Sequence, residues 1–273
     1  MFNFMKKDCT MLVCSCDSYS DTWEPLFKSI KKYWKNFDMP IVLNTESKTY
    51  QMDGLDIKCL QLFKNKKVKW GERLIEHLKR IDTEYIFLML DDYFLVEPVD
   101  TEVITNCLNW MKKDPNIAVF SFHRVDDPKN IPSKKYVNFD QRPQHGMYRL
   151  NCQAAIWRKS RLIKFIKKNE SPWDFEIYGS IRSSKYKDEF YAIRDGVKEP
   201  LNYNMVSHGT GICRGKWVKS VVEPLFKELD VNIDFSKRGF TDENDNTILT
   251  KRNLKEKIVG KLKYYQAKIE SKL

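Results

Sequence analysis

Two consecutive aspartates, Asp91 and Asp92, close the apolar run Tyr85-Ile-Phe-Leu-Met-Leu90. Adjacent carboxylates repel each other unless a cation or hydrogen-bond donors compensate. A hard divalent ion bridging to a diphosphate meets that need, because Mn²⁺ and Mg²⁺ prefer carboxylate and phosphate oxygens. Asp also suits a turn after a strand, so spacing alone leaves the metal reading and the structural one evenly matched. A second cluster is Ser207-His208-Gly209-Thr210-Gly211-Ile212-Cys213-Arg214-Gly215-Lys216-Trp217. Its glycines can let backbone amides approach a phosphate, Arg214 and Lys216 supply cations, and His208 is a candidate metal ligand. In isolation an ordinary glycine-rich turn is the commoner case, and the aspartate pair tips the balance.

These groups need a frame. Thr10–Cys16 reads as a buried strand broken by the polar cluster Asp17–Asp21, and Trp23–Trp34 has helical spacing. Pro40–Asn44 is a second short strand, giving a parallel α/β unit. Lys69–Ile81 is an amphipathic helix with Trp70, Leu74, Leu78 and Ile81 on one face. Tyr85–Leu90 then reads as a sheet-centre strand covered on both sides, so the aspartates fall at a strand end, where open parallel sheets bind ligands. A helix (Thr101–Lys113) and a strand (Ala118–Phe122) repeat the alternation. Asp126–Gly146, polar and proline-punctuated, reads as a long loop or lid, Tyr148–Trp157 as a strand and Lys159–Lys168 as a helix. At Ser171-Pro172-Trp173-Asp174-Phe175-Glu176 a helix starts, with Ser as N-cap and Pro in the first turn.

Bulk properties narrow the field. The 273 residues are 42% hydrophobic and 13% aromatic, enough to fill a real core and exclude disorder as the dominant state. The net charge of +11 favours anionic partners, but residues 251–273 alone hold eight Lys/Arg against two Glu. A nucleic-acid coat would spread that excess along a groove with interleaved aromatics, so no nucleic acid is expected. The seven cysteines are odd in number and sit mostly in apolar runs, which fits reduced thiols in a reducing compartment. Cys14-x-Cys16 lacks zinc-site spacing. No h-region follows Lys6 and Lys7, and the longest apolar run is too short to span a bilayer, so a cytoplasmic protein is expected, soluble or peripheral on the inner face of the membrane.

Over most of residues 10–220 the chain resembles a bacterial glycosyltransferase family of the GT-A fold, found in capsule and cell-surface polysaccharide synthesis. The resemblance is carried by Val13-Cys-Ser-Cys-Asp17-Ser-Tyr19, Trp70-Gly-Glu-Arg73-Leu, Leu90-Asp91-Asp92-Tyr93-Phe94-Leu95, Asn151-Cys-Gln153-Ala-Ala-Ile-Trp157-Arg, Pro172-Trp-Asp-Phe-Glu176 and His208-Gly-x-Gly-x-x-x-Gly-Lys216-Trp217. It implies a Rossmann-like, mostly parallel central sheet flanked by helices, as a GT-A domain over 1–245 followed by a basic amphipathic helix over 246–273. It also implies a nucleotide-sugar donor, UDP-linked by first preference, and a glycan or lipid-linked acceptor. Asp17, Tyr19 and Arg73 would contact the nucleotide, together with Asp91. Asp92 and His208 would hold Mn²⁺ or Mg²⁺, and Lys216 the leaving phosphate. The chain departs from a strict Asp-x-Asp, because Tyr93 occupies the third position. GT-A enzymes that invert configuration often place a base at a helix N-terminus facing the site, which points to Glu176, with Asp174 in reserve. Two residues apart, they face different sides of the helix, so only one can reach the acceptor. The alternative is a carboxylate that merely complements the helix dipole, worth about 0.3–1 kcal/mol. Gln153 is placed for donor sugar or acceptor, or as a buried structural amide; Trp173 for stacking on a sugar ring, or as core.

In the tail, Leu254, Ile258, Leu262, Tyr265, Ile269 and Leu273 recur every three or four residues among lysines. That pattern suits a helix lying in an anionic membrane surface, and equally one that packs on the domain or on a partner chain. A homodimer is left open by the sequence. Two other function classes also remain: a metal-dependent nucleotidyltransferase or nuclease, and a non-catalytic polyanion- or membrane-binding protein whose aspartate pair is structural.

Overall fold

The computed structural model of the chain describes residues 5–205, 210–241 and 254–273. Strand β1 (Cys9–Cys14) is fully buried and ends where Asp17–Thr22 turns as a short 3-10 helix. Helix α1 (Trp23–Tyr33) buries Leu26, Phe27 and Ile30, and short parallel strands β2 (Ile41–Leu43) and β3 (Ile57–Cys59) follow. Helix α2 (Trp70–Leu78) leads to β4 (Tyr85–Leu90), which pairs in parallel with β1 from Cys9 beside Tyr85 to Cys14 beside Leu90. Helix α3 (Thr101–Lys113), capped by the Asp100 side chain on the Val103 N–H, leads to β5 (Ile117–Ser121).

The segment expected as a lid is instead the sheet edge. It contains β6 (Ile131–Pro132) and β7 (Phe139–Gln141), which extend the sheet beyond the later strand Glu189–Ile193. The polar composition misleads because two aromatics anchor it: Tyr136 and Phe139 are buried against Trp110 and Phe120. The strand expected over Tyr148–Trp157 is confined to β8 (Ala155–Arg158). The preceding amides are drawn elsewhere: Leu150 N–H donates to Ser180 Oγ and Cys152 N–H to Glu176 Oε1.

Helix α4 (Lys159–Phe165) stops short of Lys168 because the following loop caps α2. Gly71 N–H donates to Glu170 O and Glu72 N–H to Lys168 O, satisfying amides at a helix start that have no partner in their own helix. Helix α5 (Pro172–Asp174) runs through a π turn at Phe175–Gly179 into α6 (Ser180–Ser183). Strand β9 (Glu189–Ile193), the pair β10 (Ile212–Cys213) and β11 (Lys216–Val218), helix α7 (Lys219–Glu228), strand β12 (Phe240–Thr241) and helix α8 (Leu254–Glu270) complete the order.

Among the described residues, nine strands form one sheet in the order β3-β2-β1-β4-β8-β5-β9-β7-β6, and β10-β11-β12 form a small second sheet. In the large sheet only β8 and β7 run against the rest. Alternation along β4 feeds two cores: Phe87 and Met89 pack with α1, α3 and α7, while Ile86 and Leu88 pack with α2 and α4. This is the mostly parallel α/β sheet flanked by helices, with a C-terminal helix, that the sequence implies. The expected boundary between 245 and 246 lies outside the described residues.

The α2 cap depends on a missing side chain. A Cβ on Gly71 would stand 2.0 Å from the backbone oxygen of Lys167. Gly71→Ala is therefore expected to destabilise the fold by about 1–3 kcal/mol in denaturant melts, as overpacking against backbone does.

Candidate active site

Because Cys14 and Leu90 are paired, the residues that follow β1 and β4 emerge together at one edge of the sheet. Ser15 Oγ donates to Asp91 Oδ2 at 2.5 Å, and Trp23 Nε1–H donates to Ser15 Oγ at 2.7 Å. Burial, and then the neighbouring Asp92 carboxylate, hold the Asp91 carboxyl well above the usual carboxylate range, against the Ser15 hydrogen bond. Burial raises Asp92 as well, opposed by Thr210, whose Oγ1 donates to Asp92 Oδ2 at 2.5 Å. The β10–β11 hairpin closes over the pair through the Gly211 N–H, which donates to Asp92 O at 3.2 Å. Any larger residue would be refused there, since a Cβ on Gly211 would meet the Phe94 ring at 2.2 Å.

These groups floor a cleft of about 540 Å³, within the range of small-molecule sites. The ends of β1 and β2 contribute Ser15, Tyr19 and Asn44, and α2 contributes Arg73. Gln153, Trp173 and Glu176 come from the segments before β8 and around α5, and Arg214 from the hairpin turn. Asn44 is buried, and its Oδ1 has no hydrogen-bond partner. Arg73 is held by an ion pair to Glu46, whose other oxygen accepts the Asp17 N–H at 2.6 Å. One turn further on, buried His77 donates its Nδ1–H to Arg73 O at 2.8 Å; burial lowers its pKa to about 4, so it is neutral.

The acidic partner of the aspartates sits on the π turn. Glu176 Oε1 accepts the Cys152 N–H at 2.9 Å, and burial pushes its carboxyl above the ordinary glutamate value despite that bond. Gln153 is fixed by Tyr203, whose hydroxyl donates to Oε1 at 2.6 Å, and the Tyr203 ring stacks on Tyr93 at 4.3 Å. Trp173, in contrast to a core tryptophan, is 70% exposed at the cleft margin.

Of the residues singled out from the sequence, Tyr19, Arg73, Asp91, Asp92, Gln153, Trp173 and Glu176 are brought together in this cleft. Asp17 stands behind it and clasps the 46–48 loop, accepting from the Glu46, Ser47 and Lys48 amides and the Ser47 hydroxyl. Asp174 faces away from it, closing a capping box with Ser171 and pairing with Lys263 at 2.9 Å. Lys216 is exposed on β11 and is not among the lining residues. His208 lies outside the described residues. Among the described residues, no group of three or more His, Cys, Asp or Glu side chains could hold a metal ion. The donor set present is thus the buried Asp91 and half-buried Asp92 carboxylates with a hydroxyl on each, which fits an ion that takes its other ligands from a diphosphate.

Several residues of the site carried no sequence signal. Ser15, Glu46, Thr210 and Tyr203 act through partners 27 to 118 positions away in the chain. Arg238 pairs through two nitrogens with Asp21, at 2.6 Å each, and lays its guanidinium 4.2 Å from the Tyr19 ring centre. Tyr19 thus enters the cleft backed by a cation.

The mostly parallel sheet, whose central strands end in an acidic cleft, is GT-A-like in its fold. Comparison with solved structures supports this through residues 1–349 of TarS from S. aureus, with a TM-score of 0.51 at 12% identity over 95% of this chain and 80% of that one. The same TarS fragment in complex with UDP-GlcNAc matches at 0.43, with 10% identity over 95% and 79% of the two chains. The mannosyltransferase PcManGT from Pyrobaculum calidifontis, in complex with GDP-Man and Mn²⁺, matches at 0.44, with 12% identity over 70% and 55%. The first likeness carries the fold; the other two are too distant to carry more. No protein-family model and no curated protein matches the chain.

Glu176 makes a stability prediction that does not depend on any reaction. Its carboxyl is raised in the folded protein, so the native state holds its proton more tightly than the unfolded chain. That contribution is present below the unfolded glutamate pKa and is lost as pH rises through the folded one. Glu176→Gln should therefore gain in Tm relative to wild type as melts move from pH 4 to pH 8, with the amide oxygen still accepting from Cys152.

Proposed function

We propose that the chain is a metal-assisted glycosyltransferase that moves a sugar from a nucleoside diphosphate, UDP by first preference, to a glycan or lipid-linked acceptor of the bacterial cell surface. The observation that carries this reading is the adjacent pair of buried Asp91 and half-buried Asp92 on the floor of a cleft that also holds Arg73, Arg214 and Glu176. In this reading the catalytic unit is residues 1–245, working on the cytoplasmic side, and residues 246–273 are the appended basic segment that contains α8.

Asn44, Tyr19 and Arg73 receive the nucleoside, with Asp17 setting the loop behind it. Asp92, joined by His208, would hold Mn²⁺ or Mg²⁺, which when bound would neutralise charge on the departing diphosphate. Asp91, locked by Ser15, fixes the other edge of that position. Arg214 and Lys216 add positive charge on the hairpin side. Gln153, held by Tyr203, and Trp173 orient the sugars. The acceptor hydroxyl gives its proton to Glu176 as its oxygen bonds to the anomeric carbon, and the bond from that carbon to the diphosphate oxygen breaks with its electrons on the leaving group. Burial favours such a base because a raised pKa makes the carboxylate a better proton acceptor. Asp174 is the reserve, but its ion pair with Lys263 lowers its pKa and commits it elsewhere.

Calorimetric titration of UDP and GDP into wild type and Asp92→Asn, each with and without Mn²⁺, tests the donor site. Mn²⁺-dependent binding of one nucleotide is expected, weakened at least about tenfold in the variant, since even residues that only support a ligand cost that much. Failure of UDP, GDP, CMP and dTDP alike would sink the reading. Once a donor is found, the transfer rate should fall on the acid side of a pKa above that of free glutamate. Glu176→Gln should lose both the rate and that limb.

A further inference from the structure

Helix α8 is attached to the protein the wrong way round for a surface helix. Its domain-facing side is small and charged: Ala267 is buried, Gly260 O accepts the Tyr178 hydroxyl at 3.1 Å, Lys263 pairs with Asp174 and Glu270 with Lys167. Its apolar stripe faces out. Leu254, Ile258, Leu262, Tyr265 and Ile269 are each 51% to 75% exposed, and Leu273 beyond the helix is more so. A surface helix normally turns such a stripe to the core, and a contiguous exposed one marks a contact with something else.

The charges identify the contact. At 3.6 residues per turn, exposed Lys257, Lys261, Lys268 and Lys272 fall in one row along the edge of the stripe. The helix has two acidic residues, Glu256 and Glu270, and both fall on the opposite side, Glu270 in its ion pair with Lys167. A second copy of this chain would bring two rows of lysine together with no carboxylate between them. An apolar surface rimmed by anions satisfies both stripe and row.

We propose that α8 docks this protein on an anionic phospholipid bilayer, with the leucine–isoleucine–tyrosine stripe buried in the interface and the lysine row on the headgroups. The helix packs on the π turn and α6, the segment that carries Glu176 and Trp173 into the cleft. A groove of about 300 Å³ between Trp173, Ile177, Val259 and Gly260 joins α8 to the cleft margin. Docking therefore holds the cleft beside the membrane, where exposed Trp173 is of the residue type that favours the interface. The docking stands whatever reaction the cleft performs.

The test is sedimentation of the full-length chain with vesicles of phosphatidylcholine alone and of phosphatidylcholine with 30 mol% phosphatidylglycerol (about the anionic content needed to attract a basic helix). Two variants accompany it, Ile258→Ser/Leu262→Ser/Ile269→Ser and Lys257→Gln/Lys261→Gln/Lys268→Gln. Wild type should partition to the anionic vesicles, and each variant should bind at least about tenfold more weakly while keeping the wild-type Tm, since the altered side chains are exposed. Salt should weaken wild-type binding. Equal recovery with and without anionic lipid, or unchanged binding by the stripe variant, would overturn the proposal. So would a wild-type dimer in sedimentation velocity that the stripe variant loses, because a second copy would then be the occupant.

Discussion

Setting two neighbouring carboxylates at the end of a sheet, one buried and one half-buried, is costly, since each raises the charging cost of the other and little water screens them. The molecule around Asp91 and Asp92 is organised by that cost. Ser15, itself held by Trp23, answers Asp91; Thr210 and the hairpin amide answer Asp92. None of these donors brings a full positive charge onto the carboxylates. Hydroxyls orient the oxygens while leaving the site acidic, which is the condition for recruiting a cation and not merely neutralising the pair with a lysine. The in-register pairing of β1 with β4 makes the arrangement available, because a slip of either strand would separate Ser15 from Asp91.

Around that acidic floor the supporting contacts work in pairs. Glu46 ties Arg73 to the Asp17 clasp, so the cleft arginine and the 46–48 loop cannot move independently. Tyr203 does the same for Gln153 and Tyr93. Glu176 is anchored at both its ends: the carboxylate by the Cys152 amide, the carbonyl by Ser180 Oγ at 2.5 Å. Arg73, Gln153 and Glu176 are each fixed by a neighbour that does not itself need to touch a ligand, which is how a site keeps its geometry before anything binds.

What was legible in the sequence was local. Tyr85–Leu90 announces a central strand by its unbroken apolar run, and the aspartates after it mark the floor of the cleft. The α2 pattern delivers Arg73, and Ser171-Pro172 announces a helix start that the structure completes as a capping box. The rule that positions two apart diverge on a helix lets only one of Asp174 and Glu176 face the cleft, and it is Glu176 that lines it. What was not legible was nonlocal. The edge strands within 126–146 look like a loop because Tyr136 and Phe139 find their partners on α3 and β5, not nearby. Ser15, Thr210 and Arg238 are unremarkable in sequence and matter only through what the fold sets opposite them. For the tail, the sequence offered a membrane face or a packed helix as alternatives, and the structure has α8 packed through one side with its apolar side open.

The π turn at Phe175–Gly179 has a consequence for how this protein can change over time. Such a turn is an α-helix that has accepted one additional residue, and removing a residue would rotate everything on one side of it by about 100° relative to the other. Upstream lie the capping box and Trp173; downstream lie Ser180 and the α6 part of the seat of α8. Point substitutions there alter single contacts, whereas a one-residue deletion would re-phase the cleft against the C-terminal helix as a whole. The length of this segment is thus as much a part of its design as its composition, and lineages of this fold should tolerate replacement there far more readily than insertion or loss.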